Sequence, residues 1–176
     1  VDGLEIRHHN KLYDKPTKSY GPGLVIIARD EHNEAKAIQT ILLDKDTGNK
    51  RQDVEVVKRS LGAIKGNAGI IQIGAKDSKM VIVAEGNETA ATLAKAYPDA
   101  HIYSTFGNAG NVANLGWIAK KHGTSTIRFA ADNDGINAES EKAIQKASVS
   151  LADDSVKLVI SMPELIDGKS KTDWND

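Results

Sequence analysis

The 176-residue chain has no cysteine, which excludes disulfides and thiolate zinc sites. A reducing compartment is therefore permitted, and a cytoplasmic protein is the expectation. No apolar run approaches the roughly 20 residues that span a bilayer, and no secretory leader is visible. Net charge is nearly absent as well, at −1, so the chain is no general polyanion binder. Any contact with nucleic acid has to come from a local patch. One local absence points to such a patch: from Lys58 to Lys76 there is no Asp or Glu, while Lys58, Arg59, Lys65 and Lys76 all fall there. Glycines at 62, 66, 69 and 74 are interspersed, and small residues let backbone N–H groups and lysines approach phosphate. A solvated glycine-rich connector would have the same composition.

The remaining composition is that of an ordinary globular protein, long enough to bury a core. Two apolar, β-branched runs organise it. Lys79-Met80-Val81-Ile82-Val83-Ala84 breaks into Glu85-Gly86. Thr126-Ile127-Arg128-Phe129-Ala130-Ala131 breaks into Asp132-Asn133-Asp134-Gly135. Such runs read as strands buried on both faces of a parallel sheet. Ligands in open α/β sheets bind off the carboxyl ends of the strands, so Glu85 and the Asp132/Asp134 pair are delivered to one edge. Converging carboxylates repel, and a hard divalent cation relieves the repulsion. Taken singly, Glu85 reads equally as a helix N-terminal carboxylate, and Asp132-Asn133-Asp134-Gly135 as a capped turn. Both at strand ends, with Asp173 and Asp176 to follow, favour a metal.

In chain order, residues 1–20 read as a polar N-terminal arm; its His8-His9 pair reads as solvated surface rather than a metal site. Residues 21–79 read as a small, mostly antiparallel, β-rich basic subdomain. Its strands fall at Leu24–Arg29, Ala37–Leu43 and Ala68–Gly74, with a strand or irregular segment over Asp53–Arg59. Asp44–Gly48 is a β-turn rather than a calcium loop, because the downstream ligand glutamate is missing. Residues 80–176 alternate strand and helix. Asn87 is placed to cap a helix that ends before Pro98, and Asn111–His122 and Asn137–Leu151 are helical. The β-α-β-α-β-α-β order implies a parallel sheet flanked by helices. Gly107-Asn108-Ala109-Gly110-Asn111 at a strand end invites a dinucleotide site, but Gly-x-Gly-x-x-Gly is absent. The chain opens on Val1 and closes on an acidic motif, so a piece of a longer protein is the expectation.

Three motifs in order resemble one family. Val83-Ala84-Glu85-Gly86-Asn87-Glu88-Thr89-Ala90 is similar to the first motif of the Toprim domain. Ala131-Asp132-Asn133-Asp134-Gly135 is similar to the second, and Lys171-Thr172-Asp173-Trp174-Asn175-Asp176 resembles the acidic segment that closes the domain in phage and plasmid primases, including those fused to conjugative relaxases. The resemblance implies a Toprim-type, Rossmann-like α/β fold. It also implies Mg²⁺ or Mn²⁺ held by Glu85, Asp132 and Asp134, with Asp173 and Asp176 as further ligands. The implied activity is metal-dependent nucleotidyl transfer from nucleoside triphosphates on a single-stranded DNA template, in a primase of plasmid or phage replication and conjugation with fused relaxase or helicase domains. Family members of the primase type carry a basic subdomain before the Toprim domain, which assigns template contact to Lys58, Arg59 and Lys65. The same acids also suit a Toprim nuclease with water as nucleophile. A third reading is a non-catalytic nucleic-acid-binding module of a relaxase or helicase.

Overall fold

The computed structural model describes residues 6–133, 139–167, 170–172 and 174. Nine strands form a single sheet: β1 (Ile6–Asp14), β2 (Ser19–Arg29), β3 (Ala35–Leu42), β4 (Lys58–Gly62), β5 (Ala68–Gln72), β6 (Val81–Ala84), β7 (His101–Ser104), β8 (Thr126–Ala130) and β9 (Lys157–Ser161). The helices are α1 (Asn87–Ala96), α2 (Gly116–Lys121) and α3 (Glu139–Asp153).

The strand order is β4-β3-β2-β5-β7-β6-β8-β9, with β1 on the edge of β2. β7, β6, β8 and β9 are mutually parallel. Their residues are short apolar runs because both faces are covered. Val81, Val83, Tyr103, Ile127 and Phe129 pack with Leu115, Ile118, Ile144 and Leu151 on one face. On the other, Ile82, Ala84, Ile102 and Ala130 pack with Ala90 and Ala94 of α1 and with Ile26 and Ile41 of the antiparallel strands. Parallel strands between helices are what the alternating pattern implied, and the β-rich region precedes them.

Three features depart from the sequence reading. The first is β1: Ile6–Asp14 is not a loose arm but a strand paired along β2 from Ile6↔Ile26 to Asp14↔Ser19. Its periodicity is hidden because a bulge falls between His9 and Leu12 and because its most buried residue, Asp14, is charged. The second is continuity: β5 pairs antiparallel with β7, Gly69 opposite Ser104, so the sheet runs unbroken past residue 79. A side chain at Gly69 would press on Ser104 and Phe106, which explains glycine at this join. The third is the helix expected over Asn111–His122, which is a 3₁₀ turn at Ala109–Asn114 followed by α2. Gly116 starts α2 close against Leu151 and Asp154 of the α3 end, where a Cβ would be tight.

The Asp44–Gly48 turn is closed by its own atoms. Asp44 Oδ1 accepts from the Asp46 and Thr47 N–H groups and the Thr47 hydroxyl, and Gly48 has φ +72°. No helix of the described residues is long and apolar enough to cross a membrane.

Candidate active site

β6 is followed by α1 and then by β7 on one side, while β8 lies on the other. The strand order therefore reverses at β6, and the crevice at such a switch point, beyond the carboxyl ends, is where open α/β sheets place ligands. Ala84 pairs with Ala130, so the residues that follow each strand emerge side by side. Glu85 donates its backbone N–H to the Ala130 carbonyl at 2.9 Å, and its Oε2 accepts the Asp132 N–H at 3.3 Å. The two acids expected on one edge are thus in direct contact through the backbone of one and the carboxylate of the other. Glu85 is buried, and Asp132 is half-buried.

Several groups fix Glu85 from behind. Its carbonyl accepts the Gly107 N–H at 2.7 Å and the Thr105 hydroxyl at 3.2 Å. This requires the chain to reverse at Phe106-Gly107, where φ is +61° and +81°. The glycine-bearing turn that resembled a dinucleotide cradle is thus tied to the protein itself. Asn111, further along it, accepts the Gly66 N–H and donates to the Ile64 and Asn67 carbonyls.

The closing acidic segment reaches the same edge. Asn133 and Thr172 exchange two backbone hydrogen bonds of 2.8 Å, and the Trp174 indole donates to the Ala131 carbonyl at 2.9 Å. Thr172 and Trp174 flank Asp173 in sequence. Asp134, Asp173 and Asp176 themselves lie outside the described residues. Among the described residues, no cluster of three or more His, Asp or Glu is poised to hold a metal unaided. Glu85 and Asp132 carry carboxylate oxygens, hard donors of the kind that suits Mg²⁺ or Mn²⁺.

Asn87 is not the helix cap that its position suggested. Gly86 holds the cap position, with no side-chain cap hydrogen bond. The Asn87 amide instead points inward, donating to Gln39 Oε1 at 2.6 Å and accepting from the Ser104 hydroxyl at 2.5 Å. Gln39 donates onward to Ser60 at 3.0 Å and to the Phe106 carbonyl at 3.4 Å. A buried polar network thus ties the antiparallel strands to the loop that positions Glu85. It escaped sequence reasoning because no local pattern joins Gln39 to Asn87, 48 residues away.

The three expected template-contacting residues are placed separately. Lys58 reaches Glu88 at 3.0 Å, where Lys50 also pairs. Burial pushes the Glu88 carboxyl up, but the hydrogen bonds from Lys50 and Lys58 outweigh it and hold it below the usual carboxylate range. Arg59 pairs with Asp14 at 2.8 Å, and the Asp14 side chain has no exposed surface. Lys65 is exposed in the turn before β5, which the Trp117 indole and Asn111 anchor through Gly66.

Comparison with known proteins agrees with this geometry. A family model described as a Toprim domain matches residues 80–176. A second model, described as a domain of unknown function, matches residues 2–71. A DNA primase domain from Pseudomonas aeruginosa is similar in structure, at 16% identity and a TM-score of 0.55, over 90% of this chain and 49% of that one. The primase fragment of the bacteriophage T7 primase-helicase protein aligns at 15% identity and a TM-score of 0.49, over 78% of this chain and 52% of that one. The chain spans about half the length of these solved structures. No curated protein matches it. With the Toprim model covering residues 80–176, and with Glu85 and Asp132 following adjacent strands, the chain belongs to the Toprim domain family.

Proposed function

We propose that this chain carries the metal-dependent nucleotidyl-transfer centre of a DNA primase and extends a primer on a single-stranded DNA template from nucleoside triphosphates. The observation that supports this best is the contact between Glu85 and the Asp132 backbone at the sheet switch point. Glu85, Asp132 and Asp134 would hold Mg²⁺ or Mn²⁺, with Asp173 and Asp176 completing the ligand set from the closing segment. When bound, the cation supplies Lewis-acid activation of phosphate and neutralises the leaving pyrophosphate. The chain's own residues do the positioning. The Gly107 N–H and Thr105 hydroxyl hold the Glu85 backbone, and the strand pairing Ala84↔Ala130 sets the spacing of the two acids.

In this reading residues 21–79 form the basic subdomain and 80–176 the catalytic one. Lys65 is free to meet a template phosphate, and Lys58 does so by exchanging Glu88 for the phosphate. Arg59 supports the strand from which Lys58 projects. The chain would work as part of a longer plasmid or phage protein, alongside relaxase or helicase domains.

The test is incubation with a single-stranded template, nucleoside triphosphates and Mn²⁺. Primer synthesis supports the proposal. Template cleavage instead would identify a Toprim nuclease, and binding without either reaction a non-catalytic module.

A further inference from the structure

The β1–β2 hairpin has no part in the site described above, yet its surface is unusual for a chain of near-neutral charge. Between Ile6 and Tyr20, the charged or imidazole side chains are Arg7, His8, His9, Lys11, Asp14, Lys15 and Lys18. All except Asp14 are exposed. Asp14, the only acid, is fully buried and is held by Arg59 at 2.8 Å. Between Ile6 and Tyr20, the charged or imidazole side chains that reach solvent are therefore all lysine, arginine or histidine.

Two large aromatics stand among them. Tyr13 and Tyr20 are register partners, 51% and 68% exposed, with ring centroids 5.0 Å apart and planes inclined at 44°. As a cross-strand pair the rings steady the hairpin, and both still present most of their surface to solvent. Alternation along β2 puts Tyr20 on the face that carries Leu24 and Ile26, the face covered by α1. On the opposite face from Tyr20, the Arg51 guanidinium lies beside Gly21. Lys50 precedes Arg51 and pairs with Glu88, three residues after Glu85. Two acids of the neighbouring turn are already engaged: Asp53 takes a two-pronged contact from Arg51, and Asp44 closes its own turn.

We propose that the β1–β2 hairpin is a platform for single-stranded DNA. Tyr13 and Tyr20 stack on unpaired bases, while Lys11, Lys15 and Lys18 contact the phosphates. Exposed aromatics interleaved with cations are what a sequence-tolerant single-strand site needs, because every base offers a π-face. A duplex hides those faces, so the aromatic pair commits the surface to single strands. The inference rests on the hairpin alone and holds whether or not the acidic edge transfers nucleotides.

The experiment is fluorescence anisotropy of the full chain with a labelled oligo-dT, titrated over a range of salt with EDTA present. Y13A/Y20A should weaken binding by roughly tenfold or more, the loss expected for removing a base-stacking aromatic. Y13F/Y20F should bind as the unmodified protein does. K11A/K15A/K18A should flatten the slope of log affinity against log salt by about 2, at roughly 0.7 per phosphate contact on single strands. K146A, which removes an exposed cation of α3, should leave affinity unchanged, which separates the hairpin from positive charge elsewhere on the surface. Both rings are solvent-exposed, so circular dichroism should report an intact fold in every variant. Unchanged binding by Y13A/Y20A, an equal loss on duplex DNA, or no binding of oligo-dT by the unmodified protein would each overturn the proposal.

Discussion

Asn87 provides a quantitative test of how the two halves of the sheet are joined. Its side chain is 3% exposed and sits between Gln39 Oε1 and the Ser104 hydroxyl. Asn87→Ala removes a donor from one and an acceptor from the other, leaving two buried polar atoms unsatisfied. Each such atom costs about 1–3 kcal/mol, so a loss of about 3 kcal/mol is a central expectation. For a chain of this size that corresponds to a fall of roughly 6–12 °C in melting temperature. Urea unfolding read at constant m-value measures the loss directly. Asn87→Asp is more discriminating. If Asn87 were a helix cap, aspartate would be neutral or stabilising at the positive end of α1. In the observed network it sets a carboxylate oxygen against Gln39 Oε1 in place of a 2.6 Å donor contact, so the protein loses stability. Gln39→Ala combined with Asn87→Ala should cost less than the sum of the single changes, because the two share one hydrogen bond. An Asn87→Asp protein as stable as the original, or additive single changes, refutes the network.

Other expectations follow from the same geometry. Arg59→Ala leaves Asp14 buried without its cation and should cost about 3 kcal/mol in urea unfolding, far more than an exposed lysine such as Lys65→Ala. His122 is held down to about 4, mainly by burial and then by the neighbouring charges of His101, Lys121 and Lys79. The unfolded chain therefore binds a proton that the folded chain refuses, so stability is lost as pH falls from about 6.5 toward about 4. Replacing His122 with Asn should flatten the dependence of the urea midpoint on pH in that window. Lys65→Ala should lower the salt slope of single-strand binding by roughly 0.7 if Lys65 meets a phosphate.

The parallel half of the fold was legible because burial on both faces writes itself into sequence as unbroken apolar runs, and each run ended in the acid that marks its carboxyl end. β8 and the Glu85–Asp132 juxtaposition could be read this way without any long-range knowledge. What stayed hidden depends on partners far apart in the chain. Lys58 and Arg59 read as template contacts, yet each has an acidic partner far away in the chain: Glu88 lies 30 residues from one and Asp14 lies 45 from the other. Asn87 carried the local signature of a cap, which a residue facing a polar core shares. β1 hid because a sheet-edge strand with one bulge and a buried aspartate has no clean alternation. Asp134, Asp173 and Asp176 fall outside the described residues, while their sequence neighbours Asn133, Thr172 and Trp174 are hydrogen-bonded at the acidic edge.

The central claim is that Glu85 and Asp132 work together at the switch point as ligands of a divalent cation that drives nucleotidyl transfer. Primer synthesis by Asp132→Asn on a single-stranded template with Mn²⁺, with circular dichroism as the folding control, tests it most directly. Asparagine keeps the size of the side chain and one acceptor oxygen, while it removes the charge and turns the other oxygen into a donor. The expected result is a folded protein with at least about 10²-fold less synthesis, the scale on which losing one strong electrostatic contact lowers turnover. A folded Asp132→Asn protein that extends primers as fast as the original would contradict it.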